Sequence, residues 1–377
     1  MKSKTDMSRR ELLSSGTKAF VSATLISQGM NQMATSKTNE QKSALKKHFE
    51  KVIKPRALKP GDRVSLLCPA GRPHNPAAIN RAKVIVEEMG FKPDVGKNTL
   101  QFFGTMAGND EQRLEDFSDA INDDSIAGIF CVTGGYGSLH LVDKIDWAKL
   151  AQKERVLVGG DDNCHLLLSA YSQSGMVSFC APNLDRINSR ESFNSLKAAV
   201  TSTDLLPNIQ ANYGAVKSAA TDGGSEKQAK DSAFEIRYSY APVGGTAEGH
   251  LIGGNLTAIG SLMGTPFEPS FEDSILFIED INEDHGMLDR WFTHLYLAGA
   301  LKQISGIAIG DFENCHTTDC FNMYSLEDLF GDRMKAENKP TCFGLPLGQS
   351  ARALTAPIGI RASLNASKGT LQFLESA

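Results

Sequence analysis

Two apolar runs of this chain are each cut short by glycines, and that arrangement limits the possible architectures more than any other feature. Ile126 to Thr133 (IAGIFCVT) stops at Gly134-Gly135-Tyr136-Gly137, and Arg155-Val156-Leu157-Val158 stops at Gly159-Gly160. Short continuous apolar runs bounded by turn residues read as strands buried on both faces. The second run passes directly into Asn163 to Tyr171, where the apolar spacing becomes helical. Upstream, Lys59-Pro60-Gly61-Asp62 opens into the strand-like Arg63 to Cys68, and a helical stretch from Ala78 to Met89 is ended by Gly90. Strands separated by helices imply a parallel sheet with helices on its faces. Sites in such sheets gather at the carboxyl ends of the strands. The two glycine-rich ends are therefore the first places to look.

Residues 56–205 are expected to form an N-terminal α/β domain with a parallel, flavodoxin-like sheet. Residues 206–245 are dominated by Gly, Ser, Ala and Lys and read as a connecting segment. Residues 246–377 are expected to form a smaller C-terminal α/β domain. It holds a strand, Ser274 to Ile278, ending in Glu279-Asp280, a helix pattern from Leu288 to Leu301, and a second strand, Gly306 to Gly310.

The first residues have another character. Arg9-Arg10 precedes the weakly apolar Ala19 to Ile26, so residues 1–35 read as a twin-arginine export signal or, alternatively, as a basic tail. Residues 36–55 read as a polar linker. A periplasmic or otherwise exported location is expected, cytoplasmic if the leader does not function.

Of the 377 residues, 41% are hydrophobic and 22% charged, which suits a globular protein of two domains. A net charge of -5, with no basic run interleaved with aromatics, argues against a nucleic-acid partner. No apolar stretch reaches the roughly 18 residues of a membrane span, so no stable membrane insertion is expected. The seven cysteines include no C-x-x-C pair, and Cys315-His316 with Cys320 is the one local cluster. The histidines lack metal-ligand spacing, and neither a metal nor a cofactor is expected.

Val158-Gly159-Gly160-Asp161-Asp162 has the pattern of a nucleophile elbow, a tight strand-to-helix turn that exposes one side chain above the sheet. On local pattern alone, however, a Gly-Gly-Asp-Asp turn is more often a helix N-cap made by an aspartate. Gly134-Gly135-Tyr136-Gly137-Ser138 could cradle an anion on backbone N–H groups or be a plain turn, and the G-x-G-x-x-G spacing of a dinucleotide site is absent. Glu279-Asp280 at a strand end is a candidate carboxylate site or a solvated terminus.

Taken together, these segments resemble the LD-carboxypeptidases, including the microcin C immunity peptidases, from about Leu58 to Leu364. The resemblance is carried by Leu58-Lys59-Pro60-Gly61-Asp62 with Pro69-Ala70, and by the glycine turn 134–138 with Asp146. It continues in Leu251-Ile252-Gly253-Gly254-Asn255-Leu256 with Gly264-Thr265-Pro266, and in Phe277-Ile278-Glu279-Asp280-Ile281 with Asp289-Arg290. Gly344 to Gln349 and Leu354 to Gly359 complete it. The resemblance implies a serine peptidase fold that releases terminal D-alanine from cell-wall tetrapeptides. It also implies a homodimer and a serine–histidine–glutamate site. Carried over residue by residue, the glutamate is Glu279, the serine position holds Asp161 and the histidine position holds Gln349. Asp162 keeps the aspartate after the nucleophile, and Gly134 and Gly135 keep the oxyanion-hole region.

The two replacements remove chemistry that the resemblance would require. Glutamine has no titrating group to act as a base, and losing a nucleophile or base of this kind lowers kcat by about a million-fold, roughly 8 kcal/mol of barrier. An aspartate could attack as a carboxylate but would tend to occupy the oxyanion donors itself. Gln349, with two N–H donors, is expected to bridge Asp161 and Glu279. The sequence thus points to a homologue that binds a muropeptide or similar short peptide without serine-type hydrolysis. The alternative is an active LD-carboxypeptidase using an atypical group such as Cys164 or Ser138.

Overall fold

The structure, a computed structural model, describes residues 49, 52–211, 241–315 and 325–377. The expected export signal, most of the expected linker and connecting segment, and His316 and Cys320 lie outside the described residues.

The first sheet contains β1 (Arg63–Leu67), β2 (Lys92–Val95), β3 (Ile126–Cys131), β4 (Val156–Gly159) and β5 (Ser178–Cys180) in the order β2-β1-β3-β4-β5, all parallel. This is the flavodoxin-like order, with its switch point between β1 and β3. Every residue of β3 and β4 is buried, which is why these runs are apolar throughout rather than alternating. Helices α1 (Pro76–Met89), α2 (Asp110–Asn122), α3 (Trp147–Gln152), α4 (Cys164–Ser174) and α5 (Arg190–Thr201) follow or separate these strands. Local chemistry sets their ends. Pro76 begins α1 and Gly90 closes it at φ +97°, while Asn109 and Gln112 form a reciprocal capping box on α2.

The second sheet is mixed. It comprises β6 (Ile209–Gln210), β7 (Thr246–Asn255), β8 (Ser274–Ile281), β9 (Gly306–Glu313), β10 (Thr341–Phe343), β12 (Arg361–Asn365) and β13 (Thr370–Phe373), in the order β10-β9-β8-β7-β12-β13-β6. Its central strands β7 to β10 are parallel, and β12, β13 and β6 add antiparallel ribbons. Helices α6 (Leu256–Leu262), α7 (His285–Leu297), α8 (Ala300–Gln303) and α9 (Leu326–Glu337) complete this half.

The halves exchange strands. β11 (Ala356–Ile358) leaves the second half and pairs antiparallel with β5 at the edge of the first sheet, with Ala356 opposite Cys180. β6, which follows α5, instead joins the second sheet beside β13. The described residues from 52 onward accordingly pack as one unit.

Candidate active site

The elbow is present in the backbone. Gly160 is extended at φ -171°, and Asp161 then adopts φ +54°. The left-handed region costs a residue with a Cβ roughly 1–2 kcal/mol, so surrounding contacts must hold it there. Asn163, fully buried, supplies one such contact, because its Nδ2 donates to the Thr133 carbonyl at 2.9 Å and to Asn183 Oδ1 at 3.2 Å. Neither Asp161 nor Asp162 caps the following helix, so the N-cap alternative does not describe this turn.

Both aspartates instead face the glycine turn after β3. The Gly135 N–H donates to Asp161 Oδ2 at 2.9 Å, and the Ser138 N–H donates to Asp162 Oδ2 at 2.8 Å. Gly134 lets the two loops approach this closely, since a Cβ there would stand 2.7 Å from the Asp161 Cβ. Its carbonyl accepts from the Gly71 N–H at 2.8 Å. Burial pushes the Asp161 carboxyl up to about 7, opposed by the Gly135 N–H and reinforced by the charges of Asp162 and Asp280.

Glu279 and Asp280, adjacent on β8, have opposite surroundings. Asp280 is fully engaged. Its Oδ1 accepts from Asn255 Nδ2 and the Ile281 N–H, both at 2.8 Å, and its Oδ2 accepts from the Thr257 N–H at 3.1 Å and Thr257 Oγ1 at 3.0 Å. It thereby anchors the start of α6. Glu279 is wholly buried, and neither of its carboxyl oxygens has a hydrogen-bond partner among the described residues. Burial first, then the nearby Cys164, Asp280 and Asp161, push it well above the usual carboxylate range. It stands at the wall of the site, with the Gly348 backbone packed on it: a Cβ at 348 would stand 3.2 Å from its Oε2.

Gln349, also buried, does not bridge the two acids. Its Oε1 accepts from the Asn183 N–H at 3.0 Å and from Asn183 Nδ2 at 3.2 Å, and its Nε2 donates to the Ala181 carbonyl at 3.3 Å. An amide has both a donor and an acceptor to satisfy, and backbone groups of the loop after β5 take both. The expected bridge is replaced by a tie between that loop and the second half of the chain.

The two candidate displaced nucleophiles are both enclosed. Cys164 is fully buried beneath the elbow with its Sγ 3.9 Å from that of Cys180, and this neighbour together with burial pushes its thiol far above the ordinary value. Ser138 has a histidine beside it that sequence spacing did not supply, with its Oγ 3.0 Å from His165 Nδ1. The hydroxyl is fully buried and donates to the Asp162 carbonyl at 2.6 Å, while His165 Nε2 lies 2.7 Å from Ser261 Oγ on α6. His165 thereby links α4 to α6, and Ser138, the candidate nucleophile, does not face solvent. The one sequence signal for this couple was the three-residue spacing of Asp162 and His165 on a helix start. Asn183, the partner of Gln349 across 166 positions, left no signal. Among the described residues no group of three His, Cys, Asp or Glu side chains is placed to hold a metal ion, and no helix is long and apolar enough to cross a membrane.

A flavodoxin-like sheet with a left-handed strand-to-helix corner, a facing glycine turn and a buried strand-end glutamate defines an α/β protein of the hydrolase elbow type. Residues 64–181 match the LD-carboxypeptidase N-terminal domain and residues 248–364 the LD-carboxypeptidase C-terminal domain. A Synechocystis sp. carboxypeptidase homologue is 30% identical over 332 residues, covering 88% of this chain and all of that protein. The chain belongs to the LD-carboxypeptidase family. The murein tetrapeptide carboxypeptidase of Pseudomonas aeruginosa is 29% identical over 293 residues, 75% of this chain and 87% of that one. Among solved structures, the microcin C7 self-immunity protein MccF in complex with glutamyl sulfamoyl guanosine superposes with a TM-score of 0.71 at 19% identity, over 86% of this chain and 98% of that one. The muramoyltetrapeptide carboxypeptidase of Oxalobacter formigenes superposes with a TM-score of 0.65 at 24% identity, over 82% and 97%.

Proposed function

We propose that this protein binds cell-wall muropeptides or similar short peptides at the Asp161–Glu279–Gln349 site and does not cleave them by the serine route. One observation carries the reading: an oxygen of the Asp161 side chain already accepts the Gly135 N–H at 2.9 Å. In acyl transfer a backbone donor at such a turn stabilises the charge that develops on the substrate carbonyl oxygen. Here the side chain at the nucleophile position occupies that donor. The residue at the base position has no group that titrates, and its amide is engaged by Ala181 and Asn183. The peptide character of the ligand is suggested by the relatives, whose names refer to murein peptides.

The reading is tested with purified protein and the tetrapeptide L-Ala–D-Glu–diaminopimelate–D-Ala. Calorimetric binding without D-alanine release is the expected result. Release of D-alanine that disappears in Asp161→Asn would establish atypical hydrolysis instead. Absence of both binding and release would leave the site without a peptide ligand. Export through the twin-arginine leader and a homodimeric state belong to the same proposal. They are tested by fractionation of cells expressing the Arg9→Lys, Arg10→Lys variant and by sedimentation.

A further inference from the structure

Arg113, on α2, is 2% exposed, and its guanidinium reaches into the loops that build the site. Nη1 donates to the Pro69 carbonyl at 2.5 Å and to the Gly137 carbonyl at 2.7 Å. Nη2 donates to Asp110 Oδ1 at 2.5 Å and lies 3.2 Å from Met106 Sδ. Pro69 follows β1 and Gly137 ends the turn after β3, so one side chain joins the carboxyl ends of the two strands that flank the switch point. Burying a guanidinium is costly unless its donors are matched. Here Nη1 and Nη2 are matched, while the buried Nε has no partner among the described residues. The rigid plane of the group fixes the two directions in which Nη1 holds its carbonyls. Gly137, at φ +117°, leaves no room for movement toward it, because a Cβ there would stand 2.9 Å from Arg113 Nη1.

The turn is gripped from both sides. Before it, the Gly71 N–H holds the Gly134 carbonyl at 2.8 Å. After it, His140 Nδ1 and Lys144 Nζ approach Asp110 at 3.2 and 3.4 Å, and Asp110 in turn holds Arg113. Between these fixed points lies the Gly135 N–H that meets Asp161.

We infer that Arg113 is the positioning residue of the anion-holding turn, its fork setting the backbone so that the Gly135 N–H points at the side chain on the elbow. The inference rests on the site reading above, in which residue 161 is the group presented at the elbow. Its test reads the turn itself, so failure here is separable from failure to bind a peptide.

The experiment follows the Gly135 amide and the Asp161 carboxyl of the full chain by NMR in Arg113→Met and Arg113→Lys, with Phe117→Leu as a control for general loosening of α2. Asp162, Asp280, Glu279 and Arg186 also act on or lie around Asp161 and are unchanged in all three variants. In Arg113→Met the Gly135 amide should exchange about tenfold faster, the change expected for loss of a single hydrogen bond. The Asp161 titration midpoint should move upward. Arg113→Lys, which keeps the charge and can reach one carbonyl, should recover part of both shifts and carries the test if the methionine variant does not fold. Phe117→Leu should lower Tm and leave both signals in place. Unchanged Gly135 and Asp161 signals in a folded arginine variant, or equal shifts in the Phe117 control, would overturn the assignment.

Discussion

The backbone of Gly160 lies directly against the side-chain amide of Gln349: a Cβ at 160 would collide with Gln349 Nε2 and with the Ala181 carbonyl oxygen. The amide could swing aside, but the carbonyl belongs to the main chain after β5 and cannot. Gly160→Ala is therefore expected to destabilise the fold by about 2–3 kcal/mol through overpacking. Urea unfolding of the variant and the parent protein checks this.

The same contact places residue 349 at the elbow and gives a route to reactivation. Asp161→Ser together with Gln349→His should release D-alanine from the tetrapeptide above background, whereas either change alone should stay near background. Nucleophile and base act as a unit, and losing one removes nearly as much rate as losing both. An inert double variant that still folds would mean that the site has diverged beyond these two positions.

Stability should fall as pH rises from about 4 to about 7. Burial raises Asp161 from 3.8 to about 7 and Asp280 to about 6, and raises Glu279 well above its ordinary value. For an acid whose folded pKa is raised, the stabilising contribution is complete below the unfolded pKa and is lost as pH climbs through the folded one. Surface acids such as Asp123 and Glu115 are shifted downward and act at lower pH, while His165, shifted downward by burial, opposes the trend as pH rises toward its ordinary value and makes the fall shallower there. Thermal unfolding across the range should show a falling Tm, and the slope should flatten in Asp161→Asn and in Glu279→Gln.

Asp280 and Glu279 should respond oppositely to loss of the carboxyl group. Asp280→Ala strands the Asn255 amide and two backbone N–H groups, leaves the Thr257 hydroxyl with Glu283 alone, and should cost about 3–5 kcal/mol. Glu279→Gln removes an acid with no partner to lose and should be neutral or stabilising at neutral pH. Chemical denaturation of the pair at one pH tests the contrast.

Much of this site could be read from local sequence because its parts are strand ends. An apolar run followed by glycines places β3, β4 and the elbow with no knowledge of the rest of the chain, and Glu279 closes a run of the same kind. What escaped the reading depends on contacts between distant segments. The fate of the Gln349 amide is decided by Ala181 and Asn183, more than 160 positions away, so an amide expected to span two acids binds a loop. Arg113 looks like any charged residue on an amphipathic helix until the carbonyls of Pro69 and Gly137 are placed around it. The three residues of β11 are too few to show periodicity, and their pairing with β5 could not be anticipated.

That short strand imposes an order on biosynthesis. The outer edge of β5 emerges from the ribosome well before β11, the segment that covers it. Lys54 likewise waits for Glu375, its partner at 2.8 Å. The first half of the chain therefore cannot close its own sheet, and a fragment made without the second half would present a bare strand edge to its neighbours.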